Sequence, residues 1–141
     1  MKQNFKYRLG FVVIILFLSC QKDPKTMLPH INGYWEIEKV IAANGEEKNF
    51  TVNMWIDYIE IKENNGFRKK VRPTLEGKYI PAEAEEMIEI KIENDSLNMY
   101  YTTPFDTWKE SILFADENKL IVINAEKFRY HYKRYQPLDL N

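Results

Sequence analysis

The sequence predicts an all-β domain, an up-and-down antiparallel barrel of eight or nine strands. From residue 33 onward the apolar residues recur almost everywhere with period two, and turn residues interrupt them at short intervals. Consecutive hairpins from start to finish make a meander, and closing a meander is the usual way to remove its edge strands. The expected strands are 34–41, 54–62, 67–72, 78–80, 87–93, 97–101, 107–115, 120–124 and 128–135. Only 82–86 reads as helix, one turn long, and there is no internal repeat or low-complexity tract.

Turn chemistry tests the pairing, because a slip of one residue exchanges the two faces of a strand. A two-residue loop at Asn94-Asp95 pairs Ile92 with Leu97, Ile90 with Met99 and Ile88 with Tyr101. Six apolar residues then share one face, while Glu89, Lys91 and Asn98 take the other. Asn64-Asn65-Gly66 suits a three-residue loop with glycine in the left-handed position. That loop opposes Ile59 to Val71 inside and Glu60 to Lys70 outside, and it turns Lys69 inward.

The last meander differs, because 112–115 and 120–123 are apolar on both faces. A loop at Ala125-Glu126 pairs Ile123 with Phe128 and Ile121 with Tyr130. Trp108, Ile112, Phe114, Tyr130 and Tyr132 then join Ile121, Ile123 and Phe128 inside. Leu113, Leu120 and Val122 are left outside as an apolar patch, to be covered by a partner, by the chain's own tail through Leu138 and Leu140, or by the 21–32 linker folding back.

The N-terminus is basic and then apolar: Lys2, Lys6 and Arg8 precede an eleven-residue run from Leu9 to Ser19. Spanning a bilayer takes about 20 residues, so this is a cleaved leader rather than a membrane helix. Leu16-Phe17-Leu18-Ser19-Cys20 resembles the lipobox of bacterial lipoproteins. The resemblance implies that Cys20, the one cysteine, is diacylated and becomes the new N-terminus, held at the membrane by lipid. Gln21-Lys22-Asp23 partly resembles the signals that send lipoproteins to the cell surface in Bacteroidota. The expected organisation is a signal peptide at 1–19, a lipidated cysteine and polar linker at 20–32, a barrel at 33–135 and a tail at 136–141. The expected location is the bacterial cell envelope, lipid-anchored at the outer membrane, on its periplasmic side or at the cell surface.

Removal of the leader leaves 17 of the 20 basic residues against 21 acidic ones, a formal charge of −4. A chain built for phosphate backbones would be strongly basic, so no nucleic-acid partner is expected. With Cys20 committed to lipid no disulfide can form, and the domain must be stable on packing. Its 14% aromatic content can supply that.

Gly33-Tyr34-Trp35-Glu36-Ile37 resembles the Gly-x-Trp motif that opens lipocalins and related calycin barrels, here placed as in lipocalin-like lipoproteins of Bacteroidota. The resemblance implies that Trp35 plugs the closed end of the barrel under a basic residue of the last strand, which could be Arg129, Lys133 or Arg134. An eight-stranded barrel is just wide enough to be packed solid or to hold one small ligand. Trp55, Trp108, Phe114, Tyr130 and Tyr132 would line an apolar pocket or fill the core. Lys69 would either reach water at the rim or capture an anionic head group.

His30, in the linker, and His131, on the outer face of the last strand, form no metal-ligand spacing, and no metal or other cofactor is expected. Ser96 and Ser111 lie in no nucleophile motif, so no enzyme is expected. Glu36, Glu38, Glu89, Lys91 and Lys109 on the outer faces argue against a membrane-spanning barrel. Two classes stay open: a lipid-anchored envelope protein binding a small apolar ligand, and a non-catalytic envelope interaction module with a packed core.

Overall fold

The structure is a computed structural model that describes residues 22–138. The leader, Cys20 and Leu140 lie outside the described residues, and with them the lipidation expected at Cys20. Among the described residues nine strands form one sheet: β1 (Gly33–Ile41), β2 (Glu47–Asn49), β3 (Ile56–Lys62), β4 (Asn65–Pro73), β5 (Tyr79–Glu93), β6 (Ser96–Thr102), β7 (Thr107–Ala115), β8 (Lys119–Asn124) and β9 (Arg129–Arg134). From β3 to β9 each strand pairs antiparallel with the next, and β9 pairs with β1 to close an eight-stranded barrel. Along the other edge of β1, β3 pairs with the first half and the short β2 with the second. The expected all-β, up-and-down barrel is the fold.

The Asn94-Asp95 hairpin forms in the expected register, Ile92 to Leu97, Ile90 to Met99 and Ile88 to Tyr101. Both turn residues have positive φ, 48° and 61°, the conformation that two-residue hairpin turns use and that Asn and Asp tolerate. Ile88, Ile90, Leu97, Met99 and Tyr101 enter the core as expected.

Several expectations change. The expected linker is not loose over its described part, 22–32: it holds helix α1 (Pro24–Met27) and a 3₁₀ turn (Leu28–His30), and its Met27 and Ile31 are 3% and 0% exposed. Asp23 caps α1 through its carboxylate, which accepts from the Lys25 N–H. Residues 82–86 are strand, not helix. The Ala and Glu there favour a helix locally, but pairing to β4 overrides the preference. Their irregularity survives as a bulge in β5 between Glu85, opposite Lys69, and Pro81, opposite Val71. The expected strands 78–80 and 87–93 are therefore one strand.

Two registers differ as well. The β3–β4 turn is Glu63-Asn64, with Glu63 at φ 58°, and it pairs Lys62 with Asn65. Ile59 then faces Arg68 rather than Val71, so Arg68 points into the barrel and Lys69 points out. The β8–β9 turn closes with the Phe128 N–H donating to Asn124 Oδ1 and the Asn124 N–H donating to the Phe128 carbonyl. It pairs Val122 with Tyr130 and Leu120 with Tyr132. That shift of one residue turns Leu120 and Val122 inward, each 1% exposed, and leaves Phe128 38% exposed.

Candidate functional site

The closed end of the barrel is built around Trp35, which is fully buried on β1. Its indole N–H donates to the Ile31 carbonyl at 2.7 Å, which ties the 3₁₀ segment across the end. Opposite Trp35 in the register stands Arg134, the last residue of β9. Its guanidinium lies 3.7 Å from the ring centre and donates to the carbonyls of Asn32, His30 and Glu117 at 2.7, 3.0 and 2.9 Å. Of the three basic residues the sequence left open, Arg134 is therefore Trp35's partner. Gly33 is part of the same device, with φ 123°, and a Cβ there would sit 2.5 Å from Arg134 Nη1.

Inside the barrel lies a buried charged cluster. Arg68 bonds Glu86 at 2.5 Å, approaches Glu110 at 3.4 Å and lies 4.3 Å over the Tyr101 ring. Burial alone opposes the Arg68 charge, but Tyr101, Glu110 and Glu86 outweigh it and hold the guanidinium protonated. Burial pushes the Glu110 carboxyl above its usual range, with Arg68 pulling the other way. It also pushes the Tyr101 and Tyr132 phenols far up, so both stay neutral. Asp57 faces the same interior, and Lys70 Nζ stands 2.7 Å from its Oδ1, outside hydrogen-bonding geometry, as an ion pair. The void beside this cluster is about 10 Å³, bounded by Trp35, Ile59, Arg68, Met99, Glu110 and Tyr132. Room of that size admits at most one water.

The large concavity lies outside the barrel wall, a groove of about 860 Å³. Three segments wall it: the loop before β3 (Thr51, Val52, Asn53, Met54), the β4–β5 hairpin from Arg72 to Tyr79, and the tail after β9 as far as Leu138. Each wall is fastened to β1. Asn53 Nδ2 donates to the Ile37 carbonyl and to Glu36 Oε1, at 3.0 and 3.2 Å. Tyr79 stacks on Tyr34 at 4.1 Å, and the Tyr135 N–H donates to the Tyr34 carbonyl at 3.0 Å.

The residues expected to line a pocket are scattered among these regions. Trp108 stacks on Tyr101 at 5.1 Å and, with Tyr130 and Tyr132, packs against the core as expected. Trp55 does not: it is 42% exposed in the loop before β3, with Arg72 6.0 Å over its ring. Phe114 also lies outside, because the register of β7 shifts at Leu113, and Ala115 rather than Phe114 faces the core. Lys22 covers it, with Nζ 4.4 Å from the Phe114 ring centre and donating to the Ala115 carbonyl at 3.1 Å. Lys69, expected inward, pairs outside with Glu85 at 2.8 Å. The expected patch of Leu113, Leu120 and Val122 does not exist, since only Leu113 remains at the surface.

Sequence reasoning missed Arg68, Glu86, Glu110 and Asp57. Glu110 was within reach, because it alternates between Trp108 and Ile112, both placed inside. Arg68 required the right turn at 63–64.

A family model described as a lipocalin-like domain matches residues 31–122. No curated protein matches the sequence. A lipocalin-like protein from Bacteroides uniformis has a solved structure that is similar at a TM-score of 0.48, with 7% identity over 75% of this chain and 99% of that one. An uncharacterized protein from Bacteroides eggerthii gives a TM-score of 0.47, with 10% identity over 74% of this chain and 98% of that one. The match spans the Gly33 and Trp35 motif and the strands through Val122, and the chain belongs to the lipocalin-like domain family.

Proposed function

We propose that this chain is a lipid-anchored, non-catalytic envelope protein that binds a small apolar ligand in the groove on its outer wall, and not in the barrel. The observation that carries this is the contrast in free space, about 860 Å³ in the groove against about 10 Å³ beside the buried cluster. Small-molecule sites are concave, largely apolar and roughly 300 to 1,000 Å³ in volume. Trp108, Tyr130 and Tyr132 are then core residues rather than a pocket lining. The lipid anchor at Cys20 rests on the leader and lipobox. Because Lys22 docks on β7 at the plugged end, such an anchor would hold that end toward the membrane and leave the opposite end of the barrel pointing away.

Native mass spectrometry of residues 21–141 prepared from cells tests the binding reading, which expects a small molecule to be retained and then lost on Met54→Asp. Cys20→Ser tests the anchor and should leave uncleaved or soluble protein. The filled barrel also favours a second reading, an interaction module with a packed core. A stable protein partner in cross-linked envelope extracts, with no retained small molecule, would support it instead.

A further inference from the structure

We infer that the groove takes an amphiphilic anion, an apolar body with a single carboxylate-like head, and that Arg72 and Lys78 hold the head. This rests on the groove being the ligand site proposed above. Val52, Met54, Leu75 and Leu138 are 86%, 67%, 73% and 76% exposed. Single exposed apolar residues need no explanation, but three separate segments bring these four to one concavity.

The charge in the groove is one-sided. Arg72, Lys78, Lys133 and Arg134 line it, and among the described residues Glu36 is its one acid. Arg134 is committed to Trp35 and three carbonyls, and Lys133 faces Glu36 at 3.7 Å. Arg72 and Lys78 make no ion pair among the described residues. Arg72 stands opposite Ile80 in the β4–β5 ladder, which makes Lys78 its diagonal neighbour on the same face. The hairpin fixes that spacing through the Thr74 N–H, which donates to the Lys78 carbonyl at 2.8 Å. Glu76, at the tip, does not line the groove. Two cations on one face of the hairpin, with no counter-charge among the described residues, repel each other, and an anionic head between them relieves the repulsion. The exposed apolar residues across the groove supply the contact for a chain behind it. Charge complementarity thus selects an anion over a neutral ligand of the same size.

The plug and barrel from Lys22 onward form one hydrogen-bonded unit, so residues 21–141 serve as the test protein. Calorimetric titration compares decanoate with 1-decanol, both below aggregation. The expected result is that decanoate binds at least tenfold more tightly than decanol. In the double variant Arg72→Gln, Lys78→Gln it should bind no more tightly than decanol. Equal affinity of the unmodified protein for both probes would overturn the anionic class while leaving the groove reading standing. No binding of either probe would overturn both. A preference for decanoate that survives in the double variant would overturn the assignment of the head to Arg72 and Lys78. Binding to phosphatidylglycerol vesicles without binding of free decanoate would make the surface a membrane contact and overturn the inference.

Discussion

The Arg134 guanidinium and the Trp35 ring meet at 3.7 Å across the closed end of the barrel, and they do so because residue 33 has no side chain. The contact joins the first strand to the last. It also ties both to the 3₁₀ segment, so one side chain at the end of β9 holds three parts of the chain.

Arg134→Ala removes three charged hydrogen bonds to carbonyls and a cation–π contact, and is expected to cost about 2 kcal/mol. Gly33→Ala should cost a similar amount, about 1 to 3 kcal/mol, from a strained positive φ and displacement of Arg134. Combined, the two should cost less than their sum, because each disrupts the same contact. Urea denaturation of the four proteins checks this, and full additivity would mean that residue 33 acts independently of Arg134.

Leu120 and Leu113 lie on neighbouring strands with opposite fates. Leu120→Ala empties a fully buried site and is expected to cost about 2 to 5 kcal/mol. Leu113→Ala, at a site 42% exposed, should stay within about 1 kcal/mol. The reverse order in chemical denaturation would restore the register in which Ile121 and Ile123 face inward.

Arg68 and Glu110 make stability depend on pH. Burial raises the Glu110 carboxyl in the folded protein, so above the usual carboxylate range the native state holds a proton longer than the unfolded chain does. The corresponding stability is present at low pH and lost as pH rises through the folded value. Arg68→Met keeps the apolar stem but removes the charge that holds Glu110 down, and so moves that loss to higher pH. Its cost should grow from pH 4.5 to pH 7 and reach about 3 to 5 kcal/mol at neutral pH. Adding Glu110→Leu should recover part of the cost and remove its pH dependence. Unfolding midpoints at the two pH values measure this, and an equal cost at both would contradict it.

Much of the barrel was legible because period two and turn residues act locally. Asn94-Asp95 fixes its own register, and five of the six apolar residues it groups enter the core, Ile92 staying 45% exposed. Asn64-Asn65-Gly66 is ambiguous, since Glu63 also takes a left-handed conformation and the turn closes one step earlier. That difference exchanged Arg68 for Lys69. In β8 all four residues 120–123 are apolar, so the pattern does not say which pair faces inward, and a slip at Asn124 went unnoticed. The groove was not legible at all. Its walls are a loop, a hairpin tip and a tail that are distant in sequence, and they converge through the Tyr34 and Tyr79 stack and the Asn53 hydrogen bonds.

Methionine methyl NMR tests the central claim most directly, because the protein carries reporters in both places. Met54 lines the groove, whereas Met27 and Met99 are 3% and 1% exposed in the core. With methyl-labelled methionine and decanoate as titrant, the account predicts saturable shifts at Met54 while Met27 and Met99 stay fixed. Saturable shifts at Met99 with a stationary Met54 would place the ligand inside the barrel and contradict it.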